Sequence, residues 1–268
     1  MLASSEALSK LDAAPPEALA PLPVEAPRKV PPLPTLILLR HGQSQWNLED
    51  KFTGWVDVDL TPEGEAQAKK GGELIKQAGL AIDLCFTSVL TRAIRTSWLA
   101  LAAAGQAFVP EIKDWRLNER HYGGLTGLNK TETAARHGAD QVKVWRRSYD
   151  VPPPPLAAGG EYDFSKDRRY VGAVLPDTES LKTTLERVEP YWAGEIAPRL
   201  KAGDTVLVAA HGNSLRAIVK LLFDLSDAAI IDIEVPTGNP LLIELDGDLR
   251  PRAARYLDEG RATTLPAL

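Results

Sequence analysis

The sequence predicts an α/β protein: a three-layer sandwich with a mostly parallel sheet, helices on both faces, and an inserted helical and loop cap over the carboxyl ends of the strands. Residues 36–44 read LILLRHGQS and residues 206–214 read VLVAAHGNS, each an aliphatic run closed by His-Gly. Branched aliphatic runs bounded by glycine are strands buried on both faces, the kind that parallel sheets contain. Strand-like and helix-like segments alternate along most of the chain, as in βα units. Residues 129–169 break that alternation, which places them as an insertion.

Residues 1–34 are dense in Pro and Ala and lack aromatic residues. They read as a disordered extension with at most a short helix over 4–14. A transit peptide is the competing reading; Glu6, Asp12, Glu17 and Glu25 count against it, because such peptides are poor in acids. From Thr35, TLILLR is a first strand. TPEGEAQAKKGGELIKQAG (61–79) opens with a Thr-Pro helix start and keeps helical spacing through Ala66, Ala68, Leu74 and Ile75. DLCFTS (83–88) is a strand, LTRAIRTSWLALAAAG (90–105) a helix and AFVPEIKDW (107–115) a third strand candidate. NKTETAARHGADQVKVWRRSYD (129–150) is helical, and VPPPPLAAGGEYDFSKDRR (151–169) is a loop. A helix over 178–203, the strand TVLVAA, the helix SLRAIVKLLFDL (214–225) and an edge strand in PLLIELD (240–246) complete the pattern. The expected organisation is an extension over 1–34, a catalytic domain over 35–256 and a short tail over 257–268.

The chain has 268 residues, of which 44% are hydrophobic and 25% charged, enough for a substantial core. Its one cysteine, Cys85, lies in a strand, so it is read as a buried structural thiol and no intramolecular disulfide can form. No apolar stretch reaches the roughly 18 residues of a membrane span. The net charge of −5 argues against general nucleic-acid binding. A cytoplasmic protein is expected, with any affinity for anions arising from local clusters of cations.

His41 and His211 would stand just past the carboxyl ends of their strands, the edge of an open α/β sheet where ligands bind. Each is followed by glycine, which permits a sharp turn and close approach of a ligand. Arg40 ends an apolar strand, where an unpaired guanidinium is costly to bury, so an anionic partner is expected. Arg92 opens the helix after the second strand, and Lys130, Arg146 and Arg147 add cations from the insertion. Arg95, Lys69 and Lys70 read as solvated helix faces. The Gly-rich stretch LNERHYGGLTGLNK brings Glu119, His121 and Tyr122 to the same edge. Glu119 is either an ion-pair partner or a group that moves protons on a substrate hydroxyl. Asp57 and Asp59 have the spacing of an aspartyl phosphatase motif but lie in a loop. His137 repeats Arg-His-Gly on a polar helix, where a surface histidine is expected.

The segments LLRHGQSQWN, FTGWVDVDLTPEG, FTSVLTRAIRT, LNERHYGGLTGLNK, VKVWRRSY, TESL, AAHGNSLRA and VPTGNPL together resemble the histidine phosphatase superfamily and, within it, the cofactor-dependent phosphoglycerate mutases. The resemblance runs from about Thr35 to Tyr256. It implies that His41 becomes a phosphohistidine, that Glu119 donates and accepts protons, and that His211, Arg40 and Arg92 stabilise the transferring phosphoryl group. It implies a small phosphorylated carboxylate substrate held by Gly42, Gln43, Ser44, Asn47, Thr53, Gly54, Arg120, His121, Tyr122, Lys130, Arg146, Arg147, Gly212 and Asn213. Priming by 2,3-bisphosphoglycerate, no metal, and a homo-oligomer (dimer or tetramer) follow from the same resemblance. The activity expected is interconversion of 3-phosphoglycerate and 2-phosphoglycerate; the alternatives are a phosphatase acting on small phosphate esters and a silent anion-binding protein. Many members carry a longer Ala- and Lys-rich tail associated with covering the site. With the tail short here, closure is expected to fall to 123–130 and 151–160, with some leakage to water.

Overall fold

The computed structural model describes residues 33–268, so the extension expected over 1–34 lies, apart from Leu33 and Pro34, outside the described residues. Six strands, β1 (Thr35–Arg40), β2 (Leu84–Thr87), β3 (Glu111–Lys113), β4 (Thr205–Ala210), β5 (Leu241–Leu245) and β6 (Pro251–Tyr256), form one sheet in the order β3-β2-β4-β1-β5-β6. The first four are mutually parallel, β5 is antiparallel to β1, and β6 is antiparallel to β5.

The helices are α1 (Gln45–Leu48), α2 (Pro62–Gln77), α3 (Thr91–Ala103), α4 (Lys130–His137), α5 (Ala139–Arg147), α6 (Leu181–Tyr191), α7 (Ala197–Lys201) and α8 (Gly212–Leu222). Alternate residues of one strand serve opposite faces, because side chains alternate across a pleated sheet. Leu36 and Leu38 pack with Val188 of α6, Leu200 of α7 and Leu215 of α8. Ile37 and Leu39 pack with Ile75 of α2 and Leu101 of α3. Both faces are therefore covered, giving the three layers expected. Phe52, Leu125 and Val142 make a separate small core that fixes α4 and α5 as a cap.

Three details differ from the sequence reading. The helix expected over 178–203 is divided by a wide π-type turn at Trp192–Ile196, between Pro190 and Pro198. Pro198 has no N–H for the regular ladder. The insertion helix breaks at Gly138, whose φ of 87° belongs to the left-handed region. PLLIELD is not at the edge, since β6 (PRAARY) covers it. With Pro at its first position and Arg252 and Arg255 exposed, β6 lacks an aliphatic signature; edge strands commonly carry such residues.

One contact brings α2 against the end of β1. A Cβ at Gly42 would lie 2.0 Å from the Gly64 carbonyl oxygen, and one at Gly64 would lie 2.0 Å from the Gln43 carbonyl oxygen. Backbone meets backbone there, so neither side can yield by rotating a side chain. Gly42→Ala is expected to destabilise the fold by about 1–3 kcal/mol, the usual cost of overpacking, read as a lower denaturation midpoint in urea. An unchanged midpoint would show that α2 can shift freely.

Candidate active site

Because β1 and β4 are parallel neighbours with Arg40 opposite Ala210, the residues that follow them stand side by side. The His41 N–H donates to the Ala210 carbonyl at 2.9 Å. The His41 and His211 ring centroids are 5.0 Å apart, tilted by 60°. His41 Nδ1 lies 2.7 Å from the Gly42 carbonyl oxygen. A carbonyl only accepts, so Nδ1 carries the proton and Nε2 keeps its lone pair. His211 Nε2 is 2.7 Å from Ser88 Oγ. The rings are 3% and 0% exposed. Burial, with the charges of Arg92 and Arg40, holds the His41 pKa well below the usual imidazole value. Burial, with Arg92 and then His41, does the same for His211. Both rings are thus neutral at neutral pH.

Arg40 Nη1 donates to the Val235 carbonyl at 2.9 Å. Arg92 donates through Nη2 to Gly54 O at 2.7 Å and through Nη1 to Val56 O at 2.8 Å. Burial draws the Arg92 pKa down to about 10, which leaves it cationic. Carbonyl partners orient these guanidiniums without neutralising them. The Nε of each is buried with no hydrogen-bond partner, a state that costs about 1–3 kcal/mol per donor until an acceptor arrives. Gly212 leaves room beside them: a Cβ there would sit 3.5 Å from Arg40 Nε and 3.6 Å from Glu119 Oε2. The anionic partner expected for Arg40 is therefore not a carboxylate of its own strand neighbours but a group that this space can admit. Gly212 also opens α8, and helix N-termini favour anions.

Glu119 is held from three directions. Its Oε1 accepts from the Arg120 N–H at 2.8 Å, the Asn213 N–H at 3.1 Å and Asn213 Nδ2 at 2.8 Å. Its carbonyl accepts from Trp55 Nε1 at 2.6 Å and Arg187 Nη2 at 2.9 Å. Arg187 in turn pairs with Glu179 at 2.6 Å, and Glu179 accepts from the His121 N–H at 2.8 Å. Oε1 is anchored, whereas Oε2 accepts no hydrogen bond from the described residues.

These groups bound a cavity of about 140 Å³. Of the residues singled out in the sequence, Arg40, His41, Asn47, Thr53, Arg92, Glu119, Tyr122, Lys130, Arg146, Arg147, Gly212 and Asn213 line it. His211 packs on His41. Gly42, Gln43, Ser44, Gly54, Arg120 and His121 stand outside the wall. Gln43 Oε1 accepts from Thr61 Oγ1 at 2.9 Å, and Ser44 caps α1. Gly54, at a φ of 53°, presents its carbonyl to Arg92. Arg120 lies over the Tyr122 ring and donates to Arg146 O at 3.0 Å. His121 faces a second cavity with Trp55, Phe164 and Tyr170, where burial lowers its pKa to about 4.

Lys51, Phe52, Arg216 and Glu234 also line the main cavity and were not singled out. Arg216 carried a legible signal: it lies three residues past Asn213 on the same helix face, and its Nη1 donates to Asn213 Oδ1 at 3.0 Å. Glu234 immediately precedes VPTGNPL. Arg95, still about a third exposed, pairs with Asp59 and Glu65, each at 2.6 Å, outside the cavity wall. Asp57 accepts from Thr91 and Arg169, and His137 is exposed, so neither belongs to the cavity. Cys85 is buried, and burial pushes its thiol pKa up. No helix among the described residues is long and apolar enough to cross a membrane.

Known proteins resemble the chain in sequence and in fold. The model of the histidine phosphatase superfamily (branch 1) matches residues 36–256. A protein of Caulobacter sp. (strain K31) named 2,3-bisphosphoglycerate-dependent phosphoglycerate mutase is 74% identical over 235 residues, covering 88% of this chain and 99% of that protein. A protein of the same name from Hyphomonas neptunium is 61% identical, covering 87% and 98%. Among solved structures, a mycobacterial glucosyl-3-phosphoglycerate phosphatase superposes with a TM-score of 0.63 at 23% identity, over 83% of this chain and 96% of that one. An alpha-ribazole phosphatase from Shigella flexneri gives 0.62 at 20% identity, over 84% and 96%.

Proposed function

Because the chain belongs to the histidine phosphatase superfamily (branch 1), we propose that it is a phosphoglycerate mutase, interconverting 3-phosphoglycerate and 2-phosphoglycerate through a phosphohistidine at His41. The observation that carries this reading is the joining of two walls in one cavity. The sheet edge supplies His41, Arg40, Arg92 and Glu119, while the cap supplies Lys130, Arg146 and Arg147. A substrate with a phosphate and a second anionic group needs both walls.

His41 Nε2 attacks phosphorus, forming the N–P bond as the ester P–O bond breaks. The charge spread over the equatorial oxygens meets Arg40, Arg92 and the start of α8. His211 sits against the same ring and, through Ser88, keeps a fixed orientation. Glu119 Oε2 gives a proton to the departing alkoxide and takes one from the hydroxyl that next attacks the phosphohistidine. The orphaned Nε of Arg40 and Arg92 and the space at Gly212 fit a phosphoryl group. When bound there, 2,3-bisphosphoglycerate supplies the phosphoryl group that loads His41. Arg and His suffice for that chemistry without a metal.

Hydrolysis of small phosphate esters is the second reading, and one observation favours it as a side reaction. Residues 257–263 fold back on the segment 234–240, through Asp258 and Asn239 at 3.0 Å, Arg261 on Thr237 O, and Thr263 on Glu234 O at 2.8 Å. None of them lines the cavity. The test is an assay of 2-phosphoglycerate formed and inorganic phosphate released, with and without 2,3-bisphosphoglycerate and with EDTA present. Expected are primed isomerisation that survives chelation and slower phosphate release. Phosphate release from 3-phosphoglycerate as fast as isomerisation, and indifferent to priming, would make the protein a phosphatase.

A homo-oligomer and a cytoplasmic location are part of the same reading. Trp98, Phe108 and Ile112 are exposed on or beside β3, the aliphatic-poor outer strand of the sheet, and support self-association there.

A further inference from the structure

Glu234 is out of place by charge. Apart from Glu119, the other charged residues of the cavity wall are cations, and Glu119 is anchored through Oε1. Glu234 does no comparable work on a substrate proton, since its Oε1 is ion-paired with Arg147 Nη1. Both side chains are partly exposed, 34% for Arg147 and 44% for Glu234, so the pair can open without stranding a buried charge.

The backbone behind that carboxylate is fixed. The Glu234 carbonyl accepts from Tyr256 OH at 3.1 Å and from Thr263 Oγ1 at 2.8 Å, and those two hydroxyls lie 3.1 Å apart. The next carbonyl, that of Val235, accepts from Arg40. Glu234 is therefore held between the phosphoryl-binding arginine and the tail, with only its side chain free to swing.

We propose that Glu234 sets the affinity of the site for its substrate: it is a resident counter-ion for Arg147 that a substrate must exchange for its own second anionic group. This rests on the reading of the substrate as a phosphorylated carboxylate. A lone phosphate can settle between Arg40 and Arg92 and leave the Arg147–Glu234 pair intact. A phosphorylated carboxylate must open the pair to bring its second charge to Arg147. The exchange therefore costs affinity for a ligand that carries a second anionic group, and costs a lone phosphate little.

The test compares wild type, Glu234→Gln and Glu234→Asp, each as the full chain and each alone or combined with Arg147→Gln. The measurement is calorimetric binding of 3-phosphoglycerate and, separately, of inorganic phosphate, with a thermal melt for each variant. Binding does not depend on whether turnover is isomerisation or hydrolysis, so this outcome is separable from that of the activity assay. Glu234→Gln is expected to lower the Kd for 3-phosphoglycerate about two- to five-fold, the scale of a partly exposed ion pair. Inorganic phosphate should change by less than half that factor. Glu234→Asp, which keeps the charge but is one methylene short of Arg147, should also tighten 3-phosphoglycerate. With Arg147→Gln in place, the effect of either change should vanish. An unchanged or weaker affinity in Glu234→Gln, equal tightening for both ligands, or tightening that persists without Arg147 would each overturn the proposal.

Discussion

His41→Ala is expected to abolish both turnover and phosphoryl labelling, with kcat down by about 10⁵-fold or to background, the size of loss seen when a covalent nucleophile is removed. The reason is positional as well as chemical. The other imidazole at the site, His211, has its Nε2 committed to Ser88 and packs behind His41, outside the cavity wall. No other group in the wall combines a neutral lone pair with a fixed tautomer. The melting temperature should change little beyond the loss of one buried ring. The measurement is incubation with 2,3-bisphosphoglycerate followed by assay for acid-labile phosphate. Such phosphate on the His41→Ala protein would move the nucleophile elsewhere.

Glu119→Gln is expected to lower kcat by about 10²–10⁴-fold, the contribution of a positioned proton-transfer group, with KM nearly unchanged. Glutamine keeps an oxygen to accept from the Arg120 and Asn213 donors that hold Oε1, so the loop should keep its place. What it loses is the ability to take a proton at the second position. A variant with near-normal kcat would reduce Glu119 to a partner for the arginines. A raised KM with normal kcat would have the same meaning. Steady-state kinetics of both parameters, measured alongside the melting curve, decide between these outcomes.

The parts of the fold legible in the sequence were those in which one residue type does one job along a regular repeat. TLILLR and TVLVAA are aliphatic on both faces because both faces are covered, and their His-Gly endings placed two catalytic candidates without any structural knowledge. β6 was not legible, because an edge strand with Pro and two exposed arginines resembles a polar loop until a neighbour supplies its hydrogen bonds. The same limit applies within the site. Arg40 could be suspected from its unsuitable position at the end of a buried strand. Glu234 could not, because its meaning comes from Arg147, which reaches it from a helix far away in the chain. Arg187 is another such case: its sequence position gives no sign of a role, and only its contacts with Glu179 and with the carbonyls of Arg116, Asn118 and Glu119 show that it braces the loop carrying Glu119.

The pairing of β1 with β4 has a consequence for how the protein comes to life in time. Thr35 faces Thr205 across that ladder, so the two histidines are brought together by a strand contact between residues 170 positions apart in the chain (205 − 35). Loop closure on that scale carries a high entropic cost and slows folding, so such contacts generally form late. A nascent or partly refolded chain can already hold local helices such as α2 and α3, whose contact needs only nearby residues, and still lack any phosphoryl chemistry. The phosphoryl transfer proposed at His41 is thereby tied to completion of the central sheet, and a chain arrested short of that step would not hold the two histidines together.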